Sequence, residues 1–75
     1  MQEISCDKIR QMLTEHFKGI EVASISMDGK FLYLNITGAR KIRVAKYIFS
    51  KVDSLGYVCF DGWVFTRTTV QRYGK

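Results

Sequence analysis

Ile25-Ser26-Met27-Asp28-Gly29-Lys30-Phe31-Leu32 and Val58-Cys59-Phe60-Asp61-Gly62-Trp63-Val64-Phe65 each set an Asp-Gly pair between two short apolar runs. An Asp-Gly pair in that setting predicts a β-hairpin, and for Asp28-Gly29 a type I′ turn, because both central residues of that turn need positive φ. Each hairpin is preceded by a stretch with helical spacing and a closing glycine, Gly19 in one and Gly56 in the other. The chain is therefore one unit written twice: helix, glycine, strand, Asp-Gly, strand. The first copy spans about 5–37 and the second about 38–70, followed by a short basic tail over 71–75.

The hairpin turns fix the registers. In the first, Ile25 faces Leu32, Ala23 faces Leu34, Ser24 faces Tyr33 and Ser26 faces Phe31. Ala23, Ile25, Met27, Leu32, Leu34 and Ile36 then share an apolar face. Val22, Ser24, Ser26, Phe31, Tyr33 and Asn35 share the other, so two aromatics project from it. In the second, Phe60 pairs with Trp63, Val58 with Phe65, Cys59 with Val64 and Tyr57 with Thr66. Aligning the two copies places Phe60, Trp63 and Phe65 inside. The reverse assignment, which puts Trp63 and Phe65 beside Phe31 and Tyr33, stays open.

The first helix is expected over Cys6–Lys18, with Ser5 or Asp7 accepting from its free amides. Ile9, Leu13 and Phe17 recur on one stripe, flanked by Cys6 and Met12. The second is expected over Ala39–Leu55, burying Ile42, Ala45, Ile48, Phe49, Val52 and Leu55. Arg40, Arg43, Lys46, Tyr47 and Ser50 fall on its opposite arc, and Lys41 points to the buried side.

An αββαββ order predicts an α+β two-layer sandwich with both helices on one side of an antiparallel-rich, four-stranded sheet. The connectivity is a circular permutation of the ferredoxin-like fold, with strand order 3-4-2-1 and Phe31 and Tyr33 on a central strand. Two αββ units packed through their helices about a pseudo-twofold axis satisfy the pattern as well. The RNA recognition motif is similar at the level of topology and stacks bases on central-strand aromatics, although no stretch of this chain aligns with that family's motifs.

Charge is unevenly divided along the 75 residues. Net charge is +5, made of −2 over residues 1–28 and +7 over residues 29–75. That asymmetry points to a polyanionic partner or an acidic protein surface. Arg40, Lys41 and Arg43 crowd the first turn of the second helix, and Lys46 follows. Cations there oppose the helix dipole at about 0.3–1 kcal/mol each, so a sequence chosen for helix stability alone would avoid them. Gly38 ahead of them lets a ligand approach the backbone closely. Free amides and cationic side chains would then converge on a phosphate. Arg67, Arg72 and Lys75, with Tyr73 among them, add a basic and aromatic C-terminal region.

The function expected is a small, basic, non-catalytic nucleic-acid-binding protein. Its candidate contacts are Arg40, Lys41, Arg43, Lys46, Arg67 and Arg72, with Phe31 and Tyr33 as base-stacking or interface residues. If the sheet binds single strands, Lys30 and Arg67 would hold phosphates at its edges. If the second helix binds, the sheet face is free to form a homodimer. The alternative is a protein-binding module or inhibitor that engages an acidic partner. DNA and RNA are not distinguished at this level.

Catalysis is not expected. His16 is the sole histidine and lies at the margin of the first helix's core stripe. No acidic or nucleophilic partner for it can be picked out. Asp28 and Asp61 are explained by turn chemistry. No metal, cofactor or membrane partner is implied. Cys6 and Cys59 have neither disulfide-framework nor zinc spacing and suit free thiols. The N-terminus lacks the regions of a signal peptide, and no apolar run spans a bilayer, so a cytoplasmic protein is expected.

Overall fold

The continuous apolar run Tyr57-Val58-Cys59-Phe60 decides how the strands assemble. Val58, Cys59 and Phe60 are all buried, on both faces of the sheet, and a strand of that kind belongs in the interior of a sheet beside a parallel neighbour. The computed structural model describes residues 5–73. Its elements are α1 (Cys6–His16), β1 (Glu21–Asp28), β2 (Phe31–Thr37), α2 (Lys41–Lys51), β3 (Tyr57–Phe60), β4 (Trp63–Thr66) and α3 (Arg67–Tyr73). The result is a small α+β fold in αββαββ order with one further helix. The sheet runs β1-β2-β3-β4, antiparallel at both edges and parallel between β2 and β3.

The expected strand order 3-4-2-1 does not form. It would insert β4 between β2 and β3, yet β4 has four residues and leaves Trp63 and Val64 exposed, as suits an edge. Instead α2 serves as the crossover that a parallel pair requires. The amides of Gly56 and Tyr57 both donate to the Lys30 carbonyl, at 2.9 and 3.0 Å, and pin the start of β3 to the first hairpin turn.

Both hairpins form, with one register as expected and one displaced. The second matches: Phe60 pairs with Trp63, Val58 with Phe65, Cys59 with Val64 and Tyr57 with Thr66. In the first, Asp28 pairs with Phe31 and Ile25 with Leu34, so Gly29 and Lys30 make the turn. Gly29 has φ +60° and, among the described residues, no non-glycine residue has positive φ, so only the first turn position is left-handed, the type II′ pattern. A shift by an even number of residues preserves the faces. Leu32, Leu34 and Ile36 are buried, while Phe31, Tyr33 and Asn35 are exposed. An irregularity between Val22 and Ser24 reverses the start of β1. Val22 therefore packs on the core, against expectation, and Ala23 is exposed.

The core lies between the sheet and the three helices. Ile9 and Leu13 of α1 meet Leu32 and Val58 of the sheet, with Val44, Ala45, Ile48 and Phe49 of α2 and Val70 of α3. Val44 was not among the residues expected inside. Phe60 and Phe65 are inside as expected, but Trp63 is 58% exposed at the β4 edge, stacked on Phe65.

Both long helices are shorter than their sequence patterns. In α1 the Ser5 hydroxyl accepts from the Lys8 amide at 3.1 Å, and Phe17 leaves helical geometry to turn its ring toward the core. In α2 the helix stops at Lys51, and Val52 and Leu55 are buried from the following loop. The carbonyls left open there are met by Arg67. Its guanidinium donates to Phe49 O at 2.9 Å, Val52 O at 2.7 Å and Leu55 O at 3.2 Å, and sits 4.9 Å from the Phe49 ring centre. The expected basic tail begins inside α3, whose first turn is capped by the Thr66 hydroxyl accepting from the Thr69 amide. Lys75 lies outside the described residues. Among the described residues, no helix is long and apolar enough to cross a membrane. Cys6 and Cys59 are free; Cys59 is buried, and burial pushes its thiol pKa up.

Two stability predictions follow from these contacts. Arg67→Met should cost about 2–3 kcal/mol in urea denaturation, since charged hydrogen bonds to part-buried carbonyls are lost. Arg67→Lys should recover less than half, because an ammonium cannot reproduce the fork. At Gly38 (φ +85°) a β-carbon would run into the carbonyl oxygen of Gly19, whereas a β-carbon at Gly19 (φ +87°) meets nothing within 4 Å. Gly19→Ala should therefore cost about 1–2 kcal/mol, from backbone conformation alone. Gly38→Ala should cost distinctly more, and equal losses would contradict the close packing of the two loops.

Candidate nucleic-acid interface

Packing of the Gly38 backbone against Gly19 brings the end of α1 beside the start of α2. Between them lies an open cleft of about 360 Å³, lined by His16, Phe17, Lys18, Gly38, Ala39, Arg40 and Arg43. Lys18, Arg40 and Arg43 are all exposed, and among the described residues no carboxylate lines the cleft. Three like charges gathered at one cleft make it attractive to an anion.

The α2 terminus adds to this field. Arg40 occupies the N-cap position, with no side-chain cap hydrogen bond, and the first turn holds no acidic residue. The amides at the start of α2 carry the positive end of the helix dipole. By contrast, α1 begins with a Ser5 cap and Asp7 in its first turn, the arrangement that favours helix stability. Within one small chain, one helix start is optimised for stability and the other is loaded against it.

The expected contact residues separate into three groups. Arg40 and Arg43 share the cleft. Lys41 and Lys46 are exposed on α2 but do not line it, and Arg72 is exposed on α3. Arg67 is half-buried with its guanidinium engaged at the end of α2, so it is a structural clamp rather than an edge contact for phosphate. Gly38 does not admit a ligand on its missing side chain's flank, which the Gly19 backbone already fills. Its role is to join the two loops that build the cleft.

Lys18 and His16 are the residues that sequence reasoning missed. Lys18 sits next to Gly19, and only the contact between the two glycines brings it near Arg40. His16 is exposed at the core margin, its ring edge-on to Phe17 at 4.7 Å and stacked on Tyr47 at 4.0 Å between centres. Tyr47 in turn packs edge-on to Phe17 at 5.5 Å and carries Lys51 above its ring at 5.8 Å. This aromatic wedge fixes the end of α1 against the flank of α2.

Phe31 and Tyr33 lie on the opposite face of the sheet and are exposed as expected. The parallel pairing adds Tyr57 beside Phe31, with ring centres 4.4 Å apart and planes within 7°. Tyr33 lies 6.2 Å from Phe31 in a near-parallel plane. The rings thus stand against one another, and much of Phe31's face is already covered by Tyr57. That geometry takes up part of the Phe31 ring surface in contacts within the sheet face.

Comparison with protein-family models, with curated proteins and with solved structures finds no match for this chain.

A charge reversal tests whether the α2 start is held against stability. Lys41→Glu should raise stability by about 0.3–1 kcal/mol at low salt, with the gain shrinking as salt is added. A destabilisation measured by chemical denaturation would show that Lys41 has a structural role instead.

Proposed function

We propose that this chain is a small, basic, non-catalytic nucleic-acid-binding protein that holds backbone phosphates in the cleft between α1 and α2. The observation that supports the reading is the convergence of Lys18, Arg40 and Arg43 around an open cleft that, among the described residues, no carboxylate lines. Arg40 and Arg43 would bind phosphate oxygens through their planar donors, and Lys18 would act as a mobile point charge. Exposed Lys41, Lys46 and Arg72 would extend the field to neighbouring phosphates without adding sequence readout.

The cleft's shape suits a chain of phosphates better than a compact metabolite. It is open to solvent, and the apolar side chains lining it are Phe17 and Ala39. Enclosed, mostly apolar pockets are the usual sites for small molecules. Phosphate contact positions a protein on nucleic acid and dominates affinity, so binding of this kind is salt-dependent and tolerant of sequence.

The test is fluorescence anisotropy with labelled DNA and RNA, in single- and double-stranded forms, across a range of salt. Lys18→Ala/Arg40→Ala/Arg43→Ala should lower affinity and flatten the salt slope by about 0.7–0.9 unit per lost phosphate contact, so by about two to three units. A salt slope identical to that of the unmodified chain would remove the cleft from the contact surface. No binding at low salt by the unmodified chain would overturn the reading and leave the positive charge to an acidic protein partner.

A further inference from the structure

Alternation along the strands places Glu21, Ser24, Ser26 and Asp28 of β1 on the face away from the helices, with Phe31, Tyr33, Asn35 and Thr37 of β2. The pairing of β2 with β3 and of β3 with β4 adds Tyr57, Cys59 and Val64. Phe31, Tyr33, Tyr57 and Val64 are 39%, 43%, 38% and 60% exposed, an apolar patch that runs from β2 to the edge strand β4. Patches of this kind on a small soluble chain mark interaction surfaces.

Charge and shape narrow the occupant. In a chain of net charge +5, the strand positions on this face hold no lysine or arginine, and their charged residues, Glu21 and Asp28, are acidic. A polyanion would meet carboxylates and no cation on the strands there, with Lys30 confined to the β1–β2 turn. Two copies of this chain could meet on it with their basic clefts turned outward, free of like-charge repulsion between those clefts. The aromatic ridge on β2 and β3 stands beside Asp28 and Ser26 of β1, which pair with Phe31 and Tyr33. A twofold rotation that sets the two ridges against each other keeps Asp28 of each copy on the edge strand β1, the isologous contact of a cyclic dimer.

The area is adequate for a modest affinity. β1 and β2, of eight and seven residues, and β3 and β4, of four each, lie about 4.8 Å apart and give a projected face of roughly 350 Å² per copy, to which side-chain relief adds. Stable interfaces bury about 800 Å² per partner, so this one falls below them and suits a weak, concentration-dependent dimer.

We infer that this face is the interface of a twofold homodimer, with Phe31, Tyr33, Tyr57 and Val64 at its centre. Burial of the aromatics supplies most of the affinity, and Glu21 and Asp28 remain at the rim. The dimer presents two phosphate-binding clefts on its outer sides, so it rests on a different surface from the proposed function and is separable from it.

Sedimentation equilibrium from about 10 μM to 1 mM provides the test. The unmodified chain should pass from monomer to dimer within that range. Tyr57→Lys should weaken dimerisation at least tenfold, and Val64→Lys, at a more exposed position, should weaken it similarly if Tyr57→Lys fails to fold. Far-UV circular dichroism verifies folding of each. Arg40→Ala/Arg43→Ala should leave the dimerisation constant within a factor of two. A chain that stays monomeric at 1 mM overturns the proposal, as does a dimer that the Lys variants do not weaken. A monomer whose oligonucleotide affinity falls on Tyr57→Ser would reassign the face to nucleic acid.

Discussion

The parallel pairing of β2 with β3 is the constraint on which the rest of the molecule depends. A parallel pair cannot be closed by a tight turn, so the chain must leave the end of β2, cross the sheet and return. Gly38 makes that exit possible, and α2 is the return path. The crossover delivers the start of α2 to the end of α1, where the backbones of Gly38 and Gly19 touch. The Lys30 carbonyl closes the circuit by receiving the amides of Gly56 and Tyr57. The cleft and the aromatic ridge are both consequences of this path. One is built where the crossover begins, and the other where it ends.

The two sides of the domain have opposite characters as a result. The helical side gathers Lys18, Arg40 and Arg43 around one cleft and accepts an unfavourable charge at a helix start. The sheet side is apolar, with acidic residues toward its ends. Arg67 belongs to neither surface. It closes the end of α2 from the start of α3, which lets a short helix stop without leaving its last carbonyls exposed. Stability is therefore drawn from Arg67 and the external field from other cations, so substitution can separate folding from the proposed binding.

Much of the local structure was legible because it depends on period and turn chemistry. Alternation placed Leu32, Leu34 and Ile36 inward and Phe31 and Tyr33 outward, and the Asp61-Gly62 turn gave the second register. The first register was displaced because Gly29 needs only itself, not Asp28, in the left-handed position. Strand order was hidden for a different reason. Alternation states which side chains share a face but not which edge a strand joins, and the clue was the double-sided burial of Val58, Cys59 and Phe60. The irregularity near Ala23 left no composition signal. Arg40 and Arg43 could be singled out because their placement defies the helix dipole. Lys18 became part of the cleft only through a contact between two loops distant in sequence, and Arg67 looked free because its acceptors are backbone carbonyls.

The central claim is that the surface between α1 and α2, and not the sheet, takes up the phosphates. It is tested most directly by two-dimensional ¹H–¹⁵N NMR of the chain titrated with short oligonucleotides at low salt. The account predicts saturable shifts concentrated at residues 16–18 and 38–43, reversed by added salt, with the amides of Phe31, Tyr33 and Tyr57 unaffected. Shifts centred on those three strand residues, or none at any position, would contradict it.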